Sequence, residues 1–310
     1  MSKGSKGFIN RTFALAMLLL LSACSNSTTV IGPLYNRLDN QMSGGVLKLT
    51  EFEPSQKQAL MQLVNHFHFW HRRDQLPDYA SLLDDIETTL LGNESISRET
   101  TKRWASAVES FTRQFRECHP INFANHIIRS LSDEQVSSIE KNIRTRRTEH
   151  RERYGSSTRE ERIDRRVKNM IKWSGRIGFD FNAAQTAMLR DTFTRQISLR
   201  NEYFVLSDQW ADQFFSLLQD RHSPTLNQAM AGHLDTLWHL LESAYPDKWQ
   251  QNRDLWSDFL YELGQTMTPQ QRLSTGKWLG KMGETLDTLS RSDVSFEVNG
   301  SPTGCSPGNA

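Results

Sequence analysis

The chain has 310 residues, a length that allows one large domain or two ordinary ones. Its 37 basic and 36 acidic residues leave a net charge of +1, so no overall charge attracts nucleic acid. Its composition is 37% apolar and 10% aromatic, which is enough for a core, and 3 cysteines exclude a disulfide-rich scaffold or a multi-cysteine zinc module. We expect a globular chain that binds no nucleic acid.

The N-terminus has the pattern of an export signal. Basic residues at positions 3, 6 and 11 precede an apolar run over 13–21 that is too short to span a bilayer. The run leads into Leu21-Ser22-Ala23-Cys24, which resembles the lipobox of bacterial lipoproteins. That resemblance implies a signal peptide over 1–23 and a diacylglycerol on the thiol of Cys24. The other interpretation is an ordinary secretory signal that happens to contain a cysteine.

The residue after the lipobox bears on the destination. In Gram-negative lipoproteins an aspartate at this position tends to retain the protein at the inner membrane, whereas a serine such as Ser25 permits transfer to the outer one. The resemblance thus implies a periplasm-facing outer-membrane protein held by acyl chains such as palmitate and followed by a tether over 24–33. Export would place Cys118 and Cys305 in an oxidising compartment, where they either pair or stay free thiols.

Apolar residues recur with helical spacing through most of the remaining chain. We predict an all-α, multi-helix domain over 34–289 without a sheet, followed by a flexible tail over 290–310 that is rich in Ser, Gly and Pro. The apolar stripes run from Leu60 to Trp70, Tyr79 to Leu90, Trp104 to Phe115, Leu189 to Phe204, Trp210 to Leu217, Met230 to Tyr245 and Leu279 to Leu289.

A five-residue pattern recurs at four predicted helix starts: an apolar residue, a capping or acidic residue, two further residues, then Gln. It predicts a capping box with a hydrophobic staple, in which the Gln accepts a hydrogen bond from the backbone amide of the cap. The pattern also resembles the Leu-Thr-x-x-Gln repeat of small periplasmic stress chaperones, which are helical cradles for unfolded clients; helix capping alone is the other explanation. The copies are Phe52–Gln56, Leu131–Gln135, Phe181–Gln185 and Met267–Gln271.

Basic residues concentrate in one segment. Residues 141–176 hold 13 basic and 5 acidic residues, and the pattern predicts a solvent-projecting helical hairpin within 131–178 that turns at Gly155, with Ser157 and Glu160 as the next capping box. Either the hairpin binds anionic lipid, lipopolysaccharide or acidic envelope proteins, or its charges pair with acidic residues of the same fold. The candidate polyanion-binding residues are Arg144, Arg146, Arg147, Arg151, Arg153, Arg162, Arg165 and Arg166.

Catalytic patterns are weak. His66, His68 and His71 cluster, but no glutamate completes a His-Glu-x-x-His zinc site. The carboxylates of 84–87 are near neighbours on a helix and point apart, as on a solvated face. The 8 tryptophans either stack on sugars or anchor the core. We expect no catalytic residue, no metal site and no cofactor.

Three segments carry a wider resemblance: Leu34–Arg37, Phe52–Gln56 and Trp70–Ala80. Together they resemble an uncharacterised family of Gram-negative envelope lipoproteins with a Tyr-Asn start and a Trp-His-Arg-Arg-x-x-Leu-Pro-x-Tyr-Ala core. The likeness continues loosely through the arginine-rich hairpin to the Met267 box. It implies an all-helical envelope lipoprotein of unassigned function and supplies no catalytic residue.

The Trp-His-Arg-Arg motif also has a physical interpretation. A proline inside a helical pattern predicts that a new helix begins there, so polar side chains near it are placed to bind carbonyls or carboxylates at a corner. The alternative is that these side chains line a ligand groove. The candidate residues are Trp70, His71, Arg72, Gln75, Pro77 and Tyr79.

The function that these patterns favour is that of an outer-membrane-anchored periplasmic lipoprotein that acts without catalysis, as a binding, scaffolding or chaperone-like envelope factor. The alternative is an enzyme or accessory factor that acts on peptidoglycan. A carboxylate and tryptophans that converge on one deep cleft would favour the enzyme. A shallow basic surface would favour binding.

Overall fold

The computed structural model describes residues 31–92, 95–155, 157–292 and 305. Within these residues the regular elements are helices and no strand occurs, which confirms the predicted all-α class. The predicted signal peptide, Cys24 and most of the predicted tail lie outside the described residues. Among the described residues the first helix begins at Ile31 and the last ends at Arg291.

The helices follow one another with short connections. They are α1 (Ile31–Tyr35), α2 (Leu38–Val46), α3 (Pro54–Trp70), a π-helical turn (His71–Gln75), α4 (Leu76–Leu91), α5 (Arg98–Glu117), a 3-10 turn (Pro120–Phe123), α6 (Asn125–Arg129), α7 (Asp133–Gly155), α8 (Arg159–Arg176), α9 (Ala183–Arg195), α10 (Arg200–Gln219), α11 (Leu226–Ala244), α12 (Pro246–Thr266) and α13 (Pro269–Arg291).

The N-termini of α3 and α7 are joined by a reciprocal pair of glutamine amides. Gln56 Nε2 donates to Gln135 Oε1 over 3.1 Å, and Gln135 Nε2 donates to Gln56 Oε1 over 2.8 Å. The second N–H of each amide reaches the backbone carbonyl two residues before the partner's cap, Ser130 for Gln56 (2.9 Å) and Glu51 for Gln135 (2.7 Å). We call this arrangement a glutamine clasp.

A second glutamine clasp joins α9 and α13 with the same connectivity. Gln185 Nε2 donates to Gln271 Oε1 over 3.1 Å, and the return bond measures 2.8 Å. The remaining N–H groups reach the carbonyls of Thr266 (3.0 Å) and Asp180 (2.5 Å), again two residues before the partner's cap. The four capping patterns therefore pair in chain order, the first with the second and the third with the fourth.

Each clasp satisfies the whole hydrogen-bonding capacity of its glutamines. The Oε1 of every one also accepts the backbone amide of its own N-cap at 2.9 to 3.1 Å, so both lone pairs and both N–H groups are used. This confirms the predicted capping function of the four glutamines. All four are buried, and Gln185 is completely enclosed, so they are not on a client-facing surface.

The domain has two halves, each of which contains one glutamine clasp. These halves pack into one another. The largest apolar cluster combines Val64 of α3 and Ile139 of α7 with Phe215 of α10 and Met230 of α11. The first half also contributes α4, which packs along α13 of the second half. Residues separated by more than a hundred positions thus share one core.

Close packing between α4 and α13 depends on small residues. A Cβ at Gly276 would lie 2.8 Å from Leu91, and Glu87 occupies the space beside Gly280. Gly283 faces Ala80 at ordinary contact distance. The glycines leave this face of α13 without side chains. The two helices can therefore lie close to each other over most of their length.

Two sequence-based boundaries are wrong. The stripe from Leu189 to Phe204 is not one helix, since α9 ends at Arg195 and α10 begins at Arg200. Asn252 of α12 stabilises the break by accepting from the amide of Ile197 (2.8 Å) and donating to its carbonyl (3.0 Å).

The second wrong boundary is the cap of α8. Thr158 and Glu161 form this capping box in place of the predicted Ser157 and Glu160. The Thr158 amide donates to Glu161 Oε2 over 2.8 Å, and the Glu161 amide donates to Thr158 Oγ1 over 3.2 Å. Residue identity allowed either register, since both pairs combine a hydroxyl residue with a glutamate three positions later.

A single isosteric change tests the glutamine clasp. In Gln271→Glu, the Nε2 donor becomes a carboxylate oxygen that faces the Asp180 carbonyl and Gln185 Oε1, so two hydrogen bonds turn into repulsive contacts. We expect the free energy of unfolding to fall by about 2–4 kcal/mol, measured by urea denaturation followed by circular dichroism.

The neighbouring exposed Gln270 provides the matched control. Gln270→Glu adds the same charge in the first turn of α13, where a negative charge is favourable, and should change the stability by less than about 0.5 kcal/mol. Equal losses in the two variants would show that added charge, and not the clasp, is responsible.

Candidate functional site

Four polar side chains line one buried helical face at the Trp-His-Arg-Arg motif. His68, His71, Arg72 and Gln75 are spaced by three, four and seven residues from the first, which places them on the same side of a helix. Their exposed fractions are 0%, 1%, 4% and 0%. This face therefore presents imidazole, guanidinium and amide groups where a core helix ordinarily presents apolar ones.

The backbone at the motif is a wide helical turn that leads into a new helix. The helix predicted at Pro77 is α4, which begins at Leu76 with Pro77 in its first turn, and helical conformation continues into it from α3 through the π-helical turn. A proline inside a helix lacks an amide hydrogen and clashes with the carbonyl four residues earlier. The π-helical turn, which ends two residues before Pro77, widens the helix at the place where that clash would arise.

Arg72 binds groups from both ends of the described chain. Its Nη1 donates to the Leu289 carbonyl (2.9 Å) and to Ser292 Oγ (2.8 Å), and its Nη2 donates to Asn36 Oδ1. The Leu289 carbonyl belongs to the last turn of α13, where the helix dipole favours a positive charge. Arg72 therefore holds α1 and the C-terminus of α13 against the motif.

The other motif side chains bond to neighbouring helices. His71 Nδ1 and the Tyr35 hydroxyl share a 2.8 Å hydrogen bond, and Gln75 Nε2 donates to Gln114 Oε1 on α5. Tyr79 is half-buried, with its ring 4.8 Å from that of Phe111. These contacts fit the corner interpretation of the motif, in that its polar groups bind other parts of the fold.

Burial keeps the imidazoles of this region neutral. Burial lowers the pKa of His71 to about 3, with smaller contributions from the nearby His68 and Arg72. It also lowers the pKa of His68, and that of His119 at the end of α5, to about 4. Near pH 7 the only fixed charge among the four inward-facing motif side chains is therefore that of Arg72.

A disulfide lies beside the motif. Cys118, at the end of α5, is bonded to Cys305, with the two Cα atoms 5.2 Å apart. Cys118 is buried against Phe67, Trp70 and Phe115, and the ring of His66 hydrogen-bonds the backbone of Cys305. Of the two alternatives for these thiols, the structure has the pair, and it fixes Cys305 to the aromatic cluster at the end of α3.

Sequence reasoning found the motif but missed its partners. Tyr35, Asn36 and Gln114 complete the cluster, and only the first two lie in a segment that carries the family resemblance. The spacing of His68, His71, Arg72 and Gln75 contains a signal for an inward-facing polar stripe. The exposed Pro77, by contrast, contributes through the backbone and not through side-chain contacts to this cluster.

Acidic residues of α7 and α10 neutralise one part of the basic hairpin. Arg144 pairs with Glu140 (2.9 Å) and Asp212 (2.8 Å), while Arg147 and Arg151 both pair with Asp208. Among the eight candidate residues, these three match the interpretation in which the hairpin pairs with the rest of the fold.

The remaining candidates differ in their surroundings. Arg146 donates to the carbonyls of Gly45 and Lys48, and Arg166 lies 4.2 Å above the ring of Phe193. Arg162 and Arg165 both bond to Ser157, whereas Arg153 is exposed near the end of α7.

The hairpin also packs on the body more than its composition predicts. Ile163 and Val167 of α8 are buried in a cluster with Leu189 and Phe259, and α7 packs against α10. The hairpin therefore does not project freely into solvent. Its basic faces lie along the surface of the domain.

The neighbouring carboxylates of α4 were expected to be solvated, but not all of them are. Asp85 accepts hydrogen bonds from Trp104 Nε1 (2.7 Å) and from Arg103 (3.0 Å). Burial alone would raise the pKa of Asp85, but the hydrogen bonds from Arg103 and Trp104 outweigh it and lower that pKa. A carboxylate held in this way is a structural anion and a poor proton donor near pH 7.

A polar hollow of about 350 Å³ lies beside the second glutamine clasp. Gly178 closes one side with a φ of +76°, and a Cβ there would lie 2.9 Å from the Ser274 carbonyl oxygen, so the position requires glycine. No tryptophan lines the hollow. Its polar lining comes from Asp180, Asn182, Thr268, Gln270, Gln271 and Ser274.

In the described part of the chain, no three or more His, Cys, Asp or Glu side chains are grouped so that they could hold a metal ion. None of the helices over 31–292 combines the length and the apolar character that crossing a membrane requires.

The buried histidines predict acid-sensitive stability. His68, His71 and His119 stay neutral in the folded protein, whereas in the unfolded chain they bind protons below about pH 6.5. The unfolded state then holds more protons, so stability is full above that pH and falls as pH decreases towards the folded pKa values of about 3 to 4.

Urea denaturation at a series of pH values between 8 and 5 measures this effect. Three such histidines give a slope that approaches about 4 kcal/mol per pH unit once the unfolded chain is protonated. Replacement of the exposed His126 by Asn is the control and should leave the slope unchanged. A free energy of unfolding that stayed constant from pH 7 to 5 would contradict neutral burial.

Comparison with known proteins places the chain in a family. No curated protein and no solved structure matches it. A model of a family of unknown function, DUF6279, matches residues 48–246, which is more than half of the chain and includes the first glutamine clasp, the motif and the basic hairpin. The chain therefore belongs to the DUF6279 family of unknown function.

Proposed function

We propose that this protein is an exported lipoprotein, anchored in the outer membrane through Cys24 and facing the periplasm, where it acts as a non-catalytic binding or scaffolding factor. The observation that carries the proposal is the disulfide between Cys118 and Cys305. Structural disulfides persist in oxidising compartments and are rare in reducing ones. A buried disulfide therefore supports the destination that the N-terminal lipobox implies.

The roles of the polar side chains support a binding function. The most distinctive motif uses His71, Arg72 and Gln75 to join α1, α5 and α13, which leaves them enclosed and away from any substrate. Two glutamine clasps and the disulfide add further fixed points. A frame held in this way is suited to presenting its surface to a partner.

The chaperone-like form of the proposal rests on a weaker argument. The four capping boxes resemble the repeat of periplasmic stress chaperones, but their glutamines are enclosed in the clasps. The resemblance thus bears on how the helices are assembled. Any client would contact other surfaces, of which the basic face of α7 and α8 is the most distinctive.

The peptidoglycan alternative has less support from the described residues. Asp85 and Trp104 meet, as a sugar-cleaving site would require, but the carboxylate there is ion-paired with Arg103 and its pKa is lowered. A general acid for glycoside cleavage needs a raised pKa. The contact therefore favours the binding proposal.

Replacement of the lipobox cysteine tests the anchor. We expect Cys24→Ala to move the protein from the membrane to the soluble fraction of the cell envelope, because the thiol that receives the lipid is gone. Fractionation followed by immunoblotting measures the change, and persistence of detergent-sensitive membrane attachment would contradict the lipoprotein proposal. Ser25→Asp is the companion variant, for which we expect retention at the inner membrane with lipid still attached.

In-cell crosslinking of the tagged, lipidated protein tests the binding function. We expect the membrane-anchored protein to capture one or a few envelope proteins reproducibly, identified by mass spectrometry, and expect Cys24→Ala to lose them. A broad set of unfolded outer-membrane proteins would identify the chaperone-like form. Capture of nothing above the level of an unrelated outer-membrane lipoprotein would contradict a protein-scaffolding role.

A further inference from the structure

The outward side of α8 carries a row of basic side chains. Four basic positions, spaced by three, four and four residues, fall on one helical face, opposite the buried Ile163 and Val167. We call these four residues the basic row: Arg165, Lys168, Lys172 and Arg176. The row extends over about 16 Å along the helix axis, since each residue of an α-helix rises by about 1.5 Å.

Most of the basic row is open to solvent. Three of its members are exposed, and the fourth, Arg176, is half-buried with its guanidinium 4.1 Å from the centre of the Trp173 ring. Arg165 donates to the hydroxyl of Ser157 over 2.9 Å, which leaves its charge in place. Within the described residues, no member of the row forms an ion pair with a carboxylate. The row therefore presents four positive charges that this part of the chain does not neutralise.

The acidic residues near the basic row lie on other sides of α8 or beyond its ends. Glu160 and Asp164 pair with Arg190 of α9, and Glu161 caps the N-terminus of α8. Asp180 follows the C-terminus of the helix. The sequence from 165 to 176 contains no acidic residue, so no negative charge interrupts the row along its length.

The basic row differs in this respect from the arginines of α7. There, Arg144, Arg147 and Arg151 pair with acidic residues of α7 and α10. Arg165 is the one member of the row among the polyanion-binding candidates taken from the sequence. Which basic residues of the hairpin face solvent without an ion pair depends on how α7 and α8 pack on the domain, and this packing favours α8.

We propose that the basic row of α8 docks on the surface of a bilayer that contains anionic phospholipid. The proposal rests on the membrane placement proposed above, which brings the chain close to such a surface. Basic side chains near an anionic bilayer gain from its negative potential, and they require no fixed geometry of the headgroups. Because the four charges share one straight helical face, they can approach one plane together.

The composition of this face favours a lipid surface over an acidic protein. Lysine is depleted at protein–protein interfaces, whose centres are commonly apolar or aromatic. The basic row contains two lysines and surrounds the exposed, polar Asn169. Trp173 lies half-buried beside the row, and tryptophan is typical of the headgroup level of membranes. A basic helical face with a tryptophan at its side therefore matches a headgroup layer.

Lysine labelling measures the docking directly. The purified, lipidated full chain is inserted through its anchor into preformed vesicles of phosphatidylcholine, with phosphatidylglycerol absent, present in the same bilayer, or supplied in separate vesicles. A membrane-impermeant acetylating reagent and mass spectrometry then report the exposure of each lysine. We expect labelling of Lys168 and Lys172 to fall at least about fivefold with phosphatidylglycerol in one of the two arrangements, the factor that a single basic residue contributes near an anionic surface. The exposed Lys57 and Lys102 are internal controls and should be labelled equally throughout.

Arg165→Glu tests the row without changing either reporter lysine. It reverses one charge at an exposed helical position, and the protection of Lys168 and Lys172 should be largely lost. Arg113→Glu is the matched control, since Arg113 is also an exposed helical arginine that donates to a serine hydroxyl (Ser110, 3.3 Å), and it should keep the protection. In about 1 M salt, where the Debye length falls to about 3 Å, the parent protein should lose its protection.

Three outcomes overturn the proposal. They are equal labelling of the two reporter lysines with and without phosphatidylglycerol, equal loss of protection in the control variant, and protection that persists in high salt. Protection in isolated cell envelopes without protection on either arrangement of anionic vesicles also overturns it, and identifies an acidic macromolecule as the occupant of the row.

Failure of the anchor gives a different result. A chain without a lipid would not float with vesicles of phosphatidylcholine alone, which contradicts the lipoprotein proposal, whereas labelling in the presence of phosphatidylglycerol vesicles still reports whether the row docks.

Discussion

The fold depends on two buried amide pairs, each of which holds the N-termini of two helices together. In a glutamine clasp every donor and acceptor of both side chains has a partner, and each glutamine also caps its own helix. An enclosed amide with an unmet hydrogen bond is costly, so a partial clasp is unfavourable and the pair forms or breaks as a unit. The clasps thereby set the relative position of α3 and α7, and of α9 and α13.

The motif around Arg72 and the disulfide hold further parts of the fold together, in addition to the helices that the clasps join. The guanidinium joins Asn36, near the start of the described residues, to the last turn of α13, and Cys305 is bonded beside the same cluster. Both ends of the domain are thus tied to the centre of one long helical stretch. In the proposed envelope setting this arrangement suits a protein that must keep its shape outside the cell's reducing interior, attached by a lipid ahead of α1.

The distribution of unpaired charge on the surface depends on which residues form ion pairs, and not on composition alone. The basic hairpin carries many arginines, but Asp208 and Asp212 of α10 pair with three of them, Arg144, Arg147 and Arg151 of α7. The surface available to an anion is therefore smaller than the hairpin as a whole.

The sequence by itself determined the helical class, the four capping boxes and the position of the distinctive motif, because helix periodicity and capping depend on residues within a few positions of one another. Only the tertiary structure decided which glutamines pair, since Gln185 and Gln271 are 86 positions apart and their local sequences fit any of the four partners equally. The same holds for the break at Ile197, which depends on Asn252. Local sequence patterns specify the helices. The contacts between residues that are distant in sequence depend on the path of the whole chain, and no local spacing rule contains that information.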